Sequence, residues 1–475
     1  MPIPDQLKTI VVVMLENRSF DHVFGYLSLP QYGGRTDVNG LIDPATNLAY
    51  ANDYEDQGYQ PFEMPDQSFT SDMPHRRGEV RTQLAFRGRR ATMSGFVQAY
   101  VDLTHSVVEN PPVMGYLPPS SVFMSDFFAR EYLICDRWFA PLPADTHPNR
   151  AVAFSGCSLV DDTKGRLIPY QDLVFEWLTK RDVRWRVYHP GLSFFLLFGQ
   201  FDTPLTDNYR DLRKLAVDLQ TESANELPQV IFIEPEYQDS PVHFNNIPND
   251  NHPPLAVGPG ETFLHDIYAT LSSSPRWPHM ALIVTYDEHG GFFDHVPPLP
   301  IKSGLPAKAQ YRDPFTTTGV RVPAMIASPF VPRGQCSSRT FDHTSILQFF
   351  AESFAGGTNK YSKEVTARLD QGIESLSALF SRDARTDVPV APTPPVLIAQ
   401  AVPVTPPSSW TENQKAFALA GQKLLEHDAR GAMNKFPELV HLQPLISQLS
   451  SPQPPPPQAR RATPARAKRG ARKKR

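Results

Sequence analysis

The sequence predicts an α/β protein, with a mostly parallel central sheet and helices on both faces. Three observations carry this. Short apolar runs rich in β-branched residues recur along the first 330 residues, as buried parallel strands do. Amphipathic stretches lie between them, the alternation of a doubly covered sheet. Two of the runs end in acidic dyads, and the ends of such strands are where open α/β sheets bind their ligands.

The strands are predicted at Ile10–Leu15, Val183–Tyr188, Val230–Ile233, Leu282–Thr285 and Val322–Ala327. Pro323 moves the last of these toward an edge, or into its first residues, because proline has no N–H for a ladder. Helices are expected over Asp172–Lys180, Asp207–Leu219, Glu261–Leu271 and His343–Phe354. The stretch from Leu29 to Gly88 has little periodicity and many Gly, Pro, Asp and Asn residues, so it reads as a long surface insertion of the kind that lines a site. Phe194–Phe198 reads as a buried element in preference to a lipid contact.

At 475 residues the chain exceeds the usual size of a single core. Residues 1–382 form one predicted catalytic domain, and 383–410 a Pro-rich linker. A helical segment follows at 411–450, opened by Thr411 and Gln414 at capping-box spacing. Residues 451–475 are Pro-rich and then basic. The formal charge of −4 hides an asymmetry: residues 460–475 hold nine Lys or Arg and no acid, leaving 37 basic against 50 acidic residues, or −13, in the rest. The expected state of that tail is a solvated, disordered extension. Contact with anionic lipid or nucleic acid is the functional alternative. Cys135, Cys157 and Cys336 lack metal-ligand spacing and read as packing residues or free thiols. No signal peptide or membrane-span pattern is present, which predicts a cytoplasmic protein and leaves export by a non-classical route open.

The chemistry-bearing residues cluster in four places. Glu16-Asn17 ends the first strand, and Asp287-Glu288 follows Tyr286 at the end of the fourth. Three carboxylates and an amide converging on one sheet edge call for a cation. In Pro143–Arg150, Pro148 suits a helix first turn and puts Thr146 at the cap, facing free N–H groups. A hydroxyl there suits attack on an anionic phosphorus, although an ordinary Thr cap is the commoner reason for such a residue. The run Thr285–Val296 packs two acids, His289, two glycines and Asp294-His295 into one loop. Lastly, Asn251-His252 follows Glu234, which ends the Val230–Ile233 strand.

Taken together these segments resemble the phosphoesterase family of bacterial phospholipases C, plant non-specific phospholipases C and certain acid phosphatases. The resemblance spans most of residues 7–350. It rests on Glu16-Asn17-Arg18-Ser19-Phe20-Asp21-His22 with Phe24-Gly25, on Thr146–Arg150, and on Tyr286–Val296. It implies an alkaline-phosphatase-like three-layer sandwich. It places Glu16, Asn17, Asp287 and Glu288 at one divalent metal ion, with Ca, Mg or Mn suited to oxygen donors and Zn or Fe to histidine. It makes Thr146 the nucleophile and puts His252 in the phosphate pocket, with His75, His189, His289 and His343 as further catalytic candidates. His289 is expected to support the metal dyad, and His343 doubles as a helix-cap residue. Arg18, Asp21 and His22 are expected to brace the Glu16-Asn17 turn.

The implied activity is a metal-assisted phospholipase C, cleaving phospholipids such as phosphatidylcholine through a phospho-threonine intermediate. Phospholipid or another phosphate ester is the expected substrate, met through peripheral contact with a membrane surface. An acid phosphatase acting on monoesters is the alternative, and the short C-terminal region weighs for it. A non-catalytic phospholigand-binding protein with a nucleic-acid-binding tail is the alternative of another class. A sulfatase-like hydrolase fits less well, lacking the modifiable residue in its motif.

Overall fold

A computed structural model describes residues 3–66, 68–69, 71–243, 247–302, 304–355, 360–396 and 409–450. The basic tail lies outside the described residues. Eight strands form the central sheet: β1 (Thr9–Leu15), β2 (Leu133–Cys135), β3 (Trp185–His189), β4 (Tyr209–Asp211), β5 (Val230–Ile233), β6 (Met280–Tyr286), β7 (Ala324–Ala327) and β8 (Gln335–Ser337). Their order is β4-β3-β5-β1-β6-β7-β2-β8. Every pairing is parallel except the two that β7 makes, with β6 and β2. All seven residues of β1 and all seven of β6 are buried, so both faces of the sheet are covered and period-2 alternation is absent.

Helices pack in two groups, Phe123–Glu131 with Gly258–Ser272, and α2 (Thr146–Ser155) with α3 (Thr344–Phe354). A short helix α1 (Phe20–Phe24) follows β1 and is capped by Ser19, whose Oγ accepts from the His22 N–H. The sandwich is the architecture expected from the sequence, with two differences in detail. Pro323 lies just before β7, which is interior to the strand order, and the Pro323 carbonyl accepts from Thr285 Oγ1 (3.1 Å). Asp207–Leu219 is not one helix: Tyr209–Asp211 joins the sheet edge against β3, and the helix runs only over Leu215–Thr221. Phe194–Phe198 is a buried 3-10 turn, as its composition suggested.

The C-terminal segment lies against the catalytic body. Helix α4 (Glu412–Lys435) opens on the Thr411–Gln414 capping box, and Phe417 packs on Phe194 and Tyr237. Ahead of it, residues 383–396 cross the surface as an extended strap, where the Pro389 carbonyl accepts from Tyr268 Oη (2.6 Å).

The turn after β1 is held by a buried ion cluster. Arg321 donates through Nε to Asp294 (2.9 Å) and through Nη2 to Asp21 (2.9 Å), while Nη1 reaches the Asp136 and Asn39 carbonyls. Removing the cation leaves two buried carboxylates facing each other. Arg321→Leu is therefore expected to cost about 3–5 kcal/mol, read from parallel urea melts. A loss under about 1 kcal/mol would mean that the carboxylates find other partners.

Candidate active site

Register builds the site. Leu15 pairs with Tyr286, so β1 and β6 release Glu16-Asn17 and Asp287-Glu288 side by side at one level of the sheet edge. The two turns interlock. Asn17 N–H donates to Asp287 Oδ1 (3.2 Å), Arg18 N–H to the Glu288 carbonyl (3.1 Å), and Glu288 N–H back to Asp287 Oδ1 (2.7 Å). Asn17 adopts φ +59°, and Gly290 lies so close behind it that an added Cβ would stand 2.1 Å from the Asn17 carbonyl oxygen. Only glycine fits there.

Helix α2 points at the same edge. Asp145 is its N-cap and Thr146 its first helical residue, so the helix begins one residue earlier than the sequence suggested. The Asp145 carboxylate is engaged instead with the Thr163 N–H (2.9 and 3.0 Å). One turn beyond Thr146, on the same helix face, Arg150 extends between the dyads. Its Nε donates to Asp287 Oδ2 (3.0 Å), its Nη2 lies 2.9 Å from Glu16 Oε1, and its Nη1 donates to Tyr237 Oη (3.0 Å). Phe194 packs on the guanidinium face, 4.6 Å away. Arg150 was in the motif but carried no assigned role; its i+4 spacing from Thr146 is the signal that could have found it.

Two histidines line this region. His75 Nε2 lies 3.4 Å from Asn17 Nδ2, and its ring stands edge-on to His252 with centroids 6.1 Å apart. One ligand atom each from Asp72, His75 and His252 lies within 4.8 Å of the others. Burial works against both imidazolium charges, but the carboxylates around them prevail. Asp72, Glu288 and Asp145 hold His75 up to about 10, and Asp72, Asp239 and Glu16 hold His252 up to about 9. Asp72 and Asp239 were absent from the sequence reading, because isolated acids on irregular loops carry no spacing signal. Arg18 braces the His252 loop, donating to the Asn251 carbonyl (2.8 Å).

The remaining three histidines stand apart from those two. His289 supports Glu288: its Nδ1 lies 3.2 Å from Glu288 Oε2, and Nε2 pairs with Gln83 Oε1 (2.8 Å). His343 accepts from Trp138 Nε1 (3.1 Å) and donates through Nε2 to the Asp287 carbonyl (2.8 Å). With both nitrogens occupied and burial holding it down at about 4, it positions Asp287, and its Nε2–H is committed to the Asp287 carbonyl. His189 is removed from the group altogether. It ends β3, donates to the Gly191 carbonyl (2.8 Å), stacks near Phe436, and lines a separate cavity of about 690 Å³ with Lys435 and Glu438. β5 stands between β3 and β1, displacing its end by about 10 Å.

The donor chemistry at the dyads fits a divalent cation. Glu16 Oε2, Asn17 Oδ1 and Glu288 Oε1 are buried oxygens that receive no hydrogen bond. Orphaned buried oxygens are costly unless a ligand completes them. Burial pushes Glu16 well above the usual carboxylate range, against the pull of Arg150. Burial also opposes the charge on Glu288, yet His75 and His289 hold its carboxyl below its ordinary value. The oxygens suit a hard cation. Asp21, Asp294 and His295 also come within 4.8 Å, but Arg321 already neutralises their carboxylates.

The phosphoesterase family model matches residues 7–355. Among curated proteins, the non-specific phospholipase C1 of Arabidopsis thaliana is 31% identical over 375 residues, 72% of this chain and 65% of the plant protein. The non-specific phospholipase C3 of the same plant is 30% identical over 421 residues, 81% of this chain and 75% of its own length. Phospholipase C A of Mycobacterium tuberculosis is 29% identical over 495 residues, covering 91% of this chain and 82% of that protein. A solved alkaline phosphatase superfamily structure from Vibrio parahaemolyticus aligns with 68% of this chain and 84% of its own at 11% identity and a TM-score of 0.33.

Proposed function

Because the chain belongs to the phosphoesterase family, we propose that it is a metal-assisted phosphoric ester hydrolase of phospholipase C type, cleaving phospholipids to diacylglycerol and a phosphorylated headgroup. One observation carries the site: the helix that opens on Thr146 sends Arg150, one turn later, between Glu16 and Asp287. That register supports reading the Thr146 hydroxyl as the nucleophile beside the oxygen cluster.

Thr146 Oγ1, giving up its proton to solvent, attacks phosphorus, forming an Oγ1–P bond as the bond from phosphorus to the diacylglycerol oxygen breaks. The departing alkoxide takes a proton from His252 or His75, whose protonated forms the surrounding carboxylates favour. Water then adds to phosphorus as the Oγ1–P bond breaks; one of its protons goes to Thr146 Oγ1, the other leaves with the phosphorylated headgroup, and the histidine regains its proton from solvent. Glu16, Asn17, Asp287 and Glu288 would hold a single divalent ion, with Ca, Mg or Mn favoured by their oxygen donors. Such an ion supplies a lowered hydroxyl pKa and neutralises phosphoryl charge. Arg150 keeps Asp287 and Glu16 oriented, and His289 and His343 fix the second dyad.

The test is a parallel assay on p-nitrophenyl phosphorylcholine and p-nitrophenyl phosphate. Turnover of the diester, abolished by chelation and restored by one of Ca, Mg, Mn or Zn, is expected. Turnover of the monoester alone would replace the phospholipase reading with a phosphatase. Full activity after exhaustive chelation would remove the metal.

A further inference from the structure

We propose that an arginine-rich hairpin beside the catalytic mouth is the surface through which this protein seats on an anionic lipid bilayer. The proposal rests on the phospholipase reading above and adds where the bilayer is met. Phe86–Arg87 pairs antiparallel with Arg90–Ala91, and Gly88-Arg89 form the tip. From Arg76 to Arg90 the chain carries six arginines and one acid, Glu79, on a body whose charge without the tail is −13.

The acid is already engaged, since its carboxylate accepts from the Arg76 N–H (2.8 Å) at the start of helix Arg77–Leu84. Arg77 is engaged too, by Asp161 (2.6 Å). Arg76, Arg81, Arg87, Arg89 and Arg90 are exposed, and none forms an ion pair among the described residues. Like charges held together without counter-ions on an acidic protein are a field waiting for an anionic partner.

Apolar side chains stand among them. Phe86 is 38% exposed on the hairpin itself, and Leu103, 44% exposed, faces Gly78 and Thr82 across a shallow groove that Glu79 and Asp102 also line. An aromatic ring and an aliphatic side chain gain from the headgroup region of a bilayer, whereas Leu103 gains little from a polyphosphate backbone. A lipid surface therefore fits better than nucleic acid.

Position completes the argument. The buried side of helix Arg77–Leu84 is built into the site, with Gln83 donating to the Pro74 carbonyl and pairing with His289. A groove of about 1360 Å³ runs from Arg81, Phe86 and Arg89 to Pro143, three residues before Thr146. The hairpin and the segment that leads into α2 therefore line one groove.

The experiment is co-sedimentation of the full chain with phosphatidylcholine vesicles, with and without phosphatidylglycerol, alongside turnover of soluble p-nitrophenyl phosphorylcholine. Wild type is expected to bind the anionic vesicles in a salt-sensitive manner. Arg87→Glu/Arg89→Glu/Arg90→Glu should bind them on the order of a hundredfold more weakly with soluble turnover unchanged. Phe86→Ser should also weaken vesicle binding without altering any charge. Undiminished binding by both variants would overturn the proposal, as would a preference of the wild type for duplex DNA over anionic vesicles at equal salt. Failure of the wild type to turn over the soluble diester would sink the phospholipase reading instead, while the vesicle comparison would still decide the docking surface.

Discussion

Thr146→Ala is expected to lower turnover of a phosphodiester by about four orders of magnitude or more, the scale seen when a covalent nucleophile is removed. Thr146 is almost fully buried at the first position of α2, and its hydroxyl makes no hydrogen bond to another described residue. It also lies one turn from an arginine that contacts both dyads. Asp145 and not Thr146 occupies the cap, so the Thr146 hydroxyl is not committed to the helix start. That distinction gives the variant a sharp reading. Loss of a merely structural side chain lowers stability and leaves chemistry intact; loss of the nucleophile leaves stability intact and removes the chemistry. Thr146→Ser, which keeps the hydroxyl, should retain much of the rate. Acid-quenched wild type should carry phosphate on Thr146, and its absence together with an active Thr146→Ala would end the covalent mechanism.

The strands that build the site were legible because each is an unbroken apolar run buried on both faces. β1, β5 and β6 needed no tertiary information beyond that. The strands that were not legible are the short ones. Tyr209–Asp211 reads Tyr-Arg-Asp, and its extended form comes from pairing Tyr209 with Val187 at the sheet edge, which overrides the amphipathic pattern running through it. Leu133–Cys135 and Gln335–Ser337 are three residues each, too short to show a period. The site residues divide in the same way. Glu16, Asn17, Asp287 and Glu288 follow directly from strand ends and register. His189 also ends a strand, but the order β3-β5-β1 carries it away from the dyads, and strand order is not written in local sequence. His343 looked available because it opens a helix; only the fold reveals that Trp138 and the Asp287 carbonyl occupy both of its nitrogens.

Arg150→Met should be the most damaging substitution outside the nucleophile and the oxygen cluster. The guanidinium is fully enclosed and faces two carboxylates that are themselves buried. Methionine fills similar volume but leaves Glu16 and Asp287 without their common cation. Breaking a buried pair from one side costs about 3–5 kcal/mol, because the remaining charge stays desolvated. The carboxylates have one escape, which is to take up protons, and burial already pushes Glu16 in that direction. The variant should therefore lose less stability at pH 5 than at pH 8, since a carboxyl raised above its unfolded value destabilises only where it must ionise. A divalent ion held by the same oxygens should restore part of the loss at the higher pH. Arg150→Lys is not expected to rescue activity, because one ammonium cannot span Asp287, Glu16 and Tyr237 as the planar fork does. Thermal melts at both pH values, with chelator and then with added cation, separate these contributions. Equal destabilisation at pH 5 and pH 8, unaffected by cation, would mean that Arg150 acts through its packing on Phe194 and Tyr237 and not through the charges it bridges.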